Sequence, residues 1–114
     1  MRLTGSRAEC EFREKLLASN SILNLKSERL NRILINAGHE VKNSYVLHHI
    51  PEQCEDIFVL VISGSYILNI ELNRFDAQEE PVIERVELND YLHNLSKIHQ
   101  IQIAVALDLV RAQT

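Results

Sequence analysis

The spacing of apolar residues changes twice along this chain and divides it into three parts. In the first, apolar positions recur at helical spacing. Phe12, Leu16 and Leu17 follow Ser6-Arg7-Ala8-Glu9, a hydroxyl with a glutamate three residues on, which has the form of a capping box. This predicts a helix over 7–18. Ser19-Asn20-Ser21 reads as an interruption, because all three side chains compete for backbone hydrogen bonds. A second helix is predicted over 22–37, with Ile22, Leu25, Leu30, Ile33, Leu34 and Ala37 apolar and Gly38 ending it.

From Asn43 the period becomes two. Ser44 to Ile50 alternates and is rich in Tyr and Val, so it reads as a strand, and Pro51 stops it. Asp56 to Ser63 is apolar on both faces, as a covered central strand is. Ser63-Gly64-Ser65 is a tight turn. Tyr66 to Asn73 alternates, with Tyr66, Leu68, Ile70 and Leu72 on one side and Ile67, Asn69, Glu71 and Asn73 on the other. A polar loop, Asp76 to Pro81, leads to a fourth strand, Val82 to Leu88, polar on one side and so an edge.

The last part reads two ways. Tyr91, Leu95, Ile98, Val105, Leu109 and Ala112 share one helical stripe behind an Asn89-Asp90 cap, while Ile101 to Leu109 also alternates as a strand would. Ala104, Ala106 and Leu107 favour the helix. The pattern therefore predicts an α+β fold: an N-terminal helical pair, a four-stranded, mainly antiparallel meander and a long C-terminal helix. In the alternative, residues 100–110 form a fifth strand after a short helix at 90–98. Read as a helix, this segment carries a second apolar face, Ile103, Leu107 and Val110, which needs cover from the N-terminal helices or from a second subunit.

Composition sharpens this picture modestly. At 114 residues, with 46% apolar and 25% charged, residues 1–114 form a single domain with an ordinary core. No run is long and apolar enough to span a membrane, and no apolar stretch after the first charges suggests a secretory leader. Cys10 and Cys54 match no zinc or redox spacing, so the expectation is two reduced thiols in a soluble, cytoplasmic protein. Charge is uneven. Residues 1–42 hold eight basic and five acidic side chains, +3; residues 43–114 hold four and eleven, −7, giving the net −4.

Candidate chemistry concentrates in His48-His49-Ile50-Pro51-Glu52-Gln53-Cys54-Glu55-Asp56. A metal-dependent hydrolase or nuclease would draw on His48, His49, Glu52 and Asp56, with His93 or His99 in reach. Strand parity, however, sends the two adjacent histidines to opposite faces. Cys54 has histidines nearby, but Glu52, Glu55 and Asp56 disfavour its thiolate, and it reads as a partly buried thiol before a core strand. Asp56 followed by Glu71-Leu72-Asn73-Arg74 is similar in order to the PD-(D/E)xK nuclease motif, with Asn73 where lysine is required. Arg13, Lys15, Lys26, Arg29 and Arg32 lie in a region loosely similar to a helix-turn-helix. Interspersed Glu9, Glu11, Glu14 and Glu28 break up the basic face, so a nucleic-acid-binding regulator using Arg29 and Arg32 stands only as the second alternative, after the metal-dependent enzyme.

The reading that remains is a non-enzymatic interaction or regulatory domain, homodimeric and without a cofactor. It would bind a protein partner through Glu52, Glu55, Asp56, Glu79 and Glu80, in the manner of an inhibitor, immunity protein or antitoxin masking a basic surface. Ile103, Leu107 and Val110 are the expected dimer contacts.

Overall fold

The structure is a computed structural model and describes residues 3–113. It has the α+β architecture that the apolar pattern predicts. Helix α1 (Arg7–Leu23) and helix α2 (Arg29–Asn36) precede strands β1 (Tyr45–Pro51), β2 (Glu55–Ile62), β3 (Tyr66–Asn73) and β4 (Val82–Glu87). A short helix α3 (Leu88–Leu92) and a longer α4 (Lys97–Gln113) complete the chain. The strands pair in sequence order, β1-β2-β3-β4, and every pairing is antiparallel. No described helix is long and apolar enough to cross a membrane.

The capping box at Ser6 forms as expected: Ser6 Oγ accepts the Glu9 N–H, and the Glu9 carboxylate accepts the N–H groups of Thr4, Gly5 and Ser6. Those backbone donors at Thr4 and Gly5 hold the Glu9 pKa down to about 2. Helix α1 then runs straight through Ser19-Asn20-Ser21, contrary to the predicted interruption. These side chains spend their hydrogen bonds without breaking the helix. Ser19 Oγ donates to Leu16 O and accepts the Val46 N–H, and Ser21 Oγ donates to Leu17 O. Asn20 Nδ2 donates to the carbonyls of Lys42 and Ser44 at 2.9 and 2.8 Å. Ser19 and Asn20 therefore tie α1 to the start of β1 at the edge of the sheet. The break falls later, at residues 24–28, so Lys26 lies in a turn and not on a helical face with Arg29 and Arg32. At the end of α2, Gly38 takes φ +85°; its N–H meets Ile35 O and the His39 N–H meets Leu34 O, which closes the helix as a Schellman motif.

The C-terminal segment is helical, and residues 100–110 do not join the sheet. It is nonetheless two helices. The expected Asn89-Asp90 cap lies inside α3, whose N-cap is Glu87. Asn94 turns the chain at φ +65°, and Ser96 restarts it: its Oγ accepts the His99 N–H and its carbonyl accepts the Gln100 N–H.

Two cores flank the sheet. One face carries Tyr45, Leu47, Val61 and Ile67 against Leu16 of α1 and Ile103, Val105, Ala106 and Leu109 of α4. The other carries Leu60, Ile62, Leu68, Ile70 and Leu72 against Leu23 and Leu34. The β2–β3 turn tucks under α4. Gly64 takes φ +69°, a conformation strained for any other residue, and a Cβ there would press on Leu107 Cδ2 at 3.3 Å.

Candidate functional site

The His48–Asp56 segment is the β1–β2 hairpin, and a bulge decides how it presents its side chains. Pairing slips between Val46, opposite Leu60, and His48, opposite Val59, leaving Leu47 as the extra residue. The buried Gln102 of α4 fixes the bulge by donating to Leu47 O at 2.9 Å. His48 consequently turns toward α4, where its ring meets His99 edge-on at 4.9 Å. Burial, and then the neighbouring His99, push the His48 pKa below the ordinary histidine value. His49 points to the opposite face, stacks on Phe58 at 4.5 Å, and its Nε2 lies 2.9 Å from Asp56 Oδ1. The two histidines are thus split between the faces, as strand parity predicts.

Asp56 is held by Arg74. The guanidinium donates to both carboxylate oxygens, Nη2 to Oδ1 at 3.0 Å and Nε to Oδ2 at 3.3 Å, and also to the carbonyls of Glu52 and Glu55. These bonds, with that of His49, hold the Asp56 carboxyl below the usual carboxylate range. Arg74 therefore staples the hairpin turn. Asp56 pairs with Leu72 and Glu71 with Ile57, so the two acids of the nuclease-like order lie on opposite faces. Cys54 is exposed, not partly buried. Among the described residues no three His, Cys, Asp or Glu side chains converge as metal ligands would.

The strand register arranges the α4 side of the sheet in rows. Tyr45, Val61, Ile67 and Val86 form one row, and the helix covers it. Two rows further on stand Ile50, Ile57, Glu71 and Val82; Ile57 is half-buried and the other three are exposed, without a covering element among the described residues. Ile50 is 44% exposed and Val82 60%. Glu84 and Glu55, both exposed, flank this row along the same face.

Both outer hairpins end beside this row. Their turns bring the exposed Glu52 and Glu55 to the same end of the sheet as Glu79 and Glu80. A continuous link joins them: Glu55 pairs with Asn73, and Asn73 Nδ2 donates to Glu79 Oε2 at 2.6 Å. Four of the five acids expected at a partner surface therefore lie together on one end. The fifth, Asp56, is engaged by Arg74. Phe75, 76% exposed, projects from the same loop, which Asn73 Oδ1 shapes by accepting the Phe75 and Asp76 N–H groups.

Of the expected dimer contacts, Ile103 is 2% exposed within the protomer, and Leu107 and Val110 are half-buried beside Gly64. Arg13 is occupied by Asp108 at 2.9 Å and Arg29 by the Asn73 carbonyl at 2.7 Å.

On the opposite face, a cavity of about 340 Å³ opens between the sheet, the end of α1 and the start of α2. Ile22, Leu23, Leu30, Phe58 and Leu72 line it, with Glu28, Arg29, Asp56 and Arg74 among its polar groups. Sequence reasoning missed Ile50, Phe75, Val82 and this cavity. Ile50 and Val82 carry the alternation of any strand, and which half of a face a helix covers is set by tertiary packing. No family model matches the chain, and the searches of curated proteins and of solved structures return no match.

Proposed function

We propose that this domain is a non-enzymatic interaction module that binds a basic, amphipathic segment of a protein partner through the open half of its sheet. The observation that carries the reading is the row of exposed Ile50 and Val82 with half-buried Ile57, which contains Glu71 and is flanked by Glu55 and Glu84. Exposed apolar residues with a polar rim mark interaction surfaces, and here the rim has a single sign. A partner with apolar side chains on one face and Lys or Arg around them would bury the row and meet the glutamates. Glu52, Glu79 and Glu80 extend the same field at the sheet end, and Phe75 is an aromatic of the kind that anchors interfaces. Masking a basic surface in this way is what an inhibitor, immunity protein or antitoxin does.

A photo-crosslinking residue placed at Val82, and separately at Ile35 on the far side, tests the reading in cell extract. The expected product is salt-sensitive, forms at position 82 and not at 35, and maps to a Lys/Arg-rich stretch of the partner. Equal labelling from both positions, or an acidic crosslinked stretch, overturns it.

Self-association through α4 is a second reading, favoured by a groove of about 320 Å³ lined by Leu92, Ile103, Ala104 and Leu107. Light scattering of the wild type and Ala104→Arg decides it. A dimer converted to monomer by the substitution supports it; a wild-type monomer at micromolar concentration removes it.

A further inference from the structure

The geometry points to a second binding site, on the sheet face opposite the open row, in the cavity between the sheet and the α1–α2 turn: a site for a free apolar amino acid held as its zwitterion. The cavity, about 340 Å³, lies at the small end of the ~300–1,000 Å³ range of small-molecule sites. Its walls are largely hydrocarbon, from Ile22, Leu23, Leu30, Phe58 and Leu72. Ile22 is 55% exposed, and a ligand seated against it would take part of that surface out of water.

The rim selects the ligand's polar end. Four residues with charged side chains are among those that line the cavity: Glu28, Arg29, Asp56 and Arg74. Asp56 and Arg74 neutralise each other through their two-pronged contact. The other two are neighbours in sequence and are not paired. Arg29 donates to main-chain carbonyls, Asn73 O at 2.7 Å and Asp76 O at 3.5 Å, and among the described residues no carboxylate lies within ion-pair distance of it. Glu28 is the N-cap residue of α2, yet its side chain makes no capping bond and has no ion-pair partner among the described residues. A cation and an anion, consecutive in sequence, each without an ion-pair partner among the described residues and both lining an apolar cavity, match a head group carrying both charges. An α-amino acid supplies this, with its carboxylate toward Arg29, its ammonium toward Glu28, and a branched or aromatic side chain inside. A simple carboxylate would leave Glu28 opposed, and a simple amine would leave Arg29 opposed.

Calorimetry and amide-shift titrations of the full chain test this with L-phenylalanine, L-leucine, 3-phenylpropionate and 2-phenylethylamine. The expected result is saturable binding of phenylalanine or leucine, with shifts at Ile22, Leu30, Phe58 and Leu72. Each single-charge analogue should bind roughly ten-fold more weakly, the factor of one charge-assisted hydrogen bond. Glu28→Gln, at an exposed side chain that caps nothing, should remove the preference for phenylalanine over 3-phenylpropionate. An analogue that binds as tightly as phenylalanine to the wild type, or the absence of saturable shifts at millimolar amino acid, overturns the proposal. Arg29→Gln loosens Asn73 as well, so the wild-type comparison of the four probes carries the decision.

Discussion

The two halves of one sheet face are made by the same strands and the same alternation, yet they have opposite fates. Near the β2–β3 turn, Tyr45, Val61 and Ile67 are sealed by α4. Near the outer hairpins, Ile50 and Val82 stand in solvent with Glu71 between their strands. The residue types differ: glutamate, with His48, Asn69 and Asn73, enters the rows of this face toward the outer hairpins, and no charged residue enters the sealed row. Buried charge without a partner is strongly unfavourable, so Glu71 and Glu84 keep permanent cover off this half. A partner bringing its own cations removes that penalty. The sealed half serves stability, and the open half is the proposed binding surface.

Substitutions should separate the two. Ile103→Ala leaves a cavity under the sealed half and is expected to destabilise by ~2–5 kcal/mol in denaturant unfolding. Val82→Ala should stay within ~0.5 kcal/mol of wild type, as exposed positions do, while weakening the partner. If Val82→Ala destabilises as much as Ile103→Ala, the halves are not functionally distinct.

Acid should reach different regions at different pH. The pKa of His48, at the boundary between the halves, is depressed, so its unfolded form binds the proton more readily. The stability it contributes is complete above the unfolded value of ~6.5 and is lost as pH falls below it. Melting temperature should therefore fall from pH 7 towards 5, and His48→Phe should flatten this step. Glu9 and Asp56 are also depressed, so their contribution is present above the unfolded carboxyl values of ~4 and is lost only as pH falls below them, for Glu9 down to about 2. A wild-type profile flat between pH 7 and 5 would contradict the placement of His48 against His99.

A smaller and more local effect concerns Arg74. Arg74→Gln removes the staple on the β1–β2 turn, so hydrogen exchange should quicken at the Glu52 and Arg74 amides and stay unchanged in α4. Smallest is Tyr45→Phe. The Tyr45 hydroxyl is buried without a hydrogen-bond partner among the described residues, so its removal should leave the melting temperature unchanged or slightly raised.

Much of the fold was legible because periodicity and turn chemistry agree locally. The alternation of Tyr66–Asn73 assigns its two faces correctly, Ser6 and Glu9 mark the start of α1, and Gly38 marks the end of α2. What misled was side-chain chemistry satisfied at long range. Ser19 and Asn20 look like helix breakers until β1 and the residues leading into it supply their partners, 24 residues away in the case of Asn20 and Ser44. The halt at Asn94 carries no Gly or Pro, and only the Ser96 cap betrays it. At the candidate site, parity separated His48 from His49. The bulge at Leu47, which selects the face each takes, depends on Gln102 and so on a contact 55 residues distant.

The most direct measurement is an amide-shift titration of the full chain with a synthetic amphipathic peptide of Lys and Leu, beside its Glu-for-Lys counterpart. The predicted result is saturable shifts at Ile50, Ile57, Glu71, Val82 and Glu84 with the basic peptide alone, weakening as salt rises toward ~0.15 M. Shifts confined to α1 and α2, or equal responses to both peptides, would contradict the assignment of the open half as the binding surface.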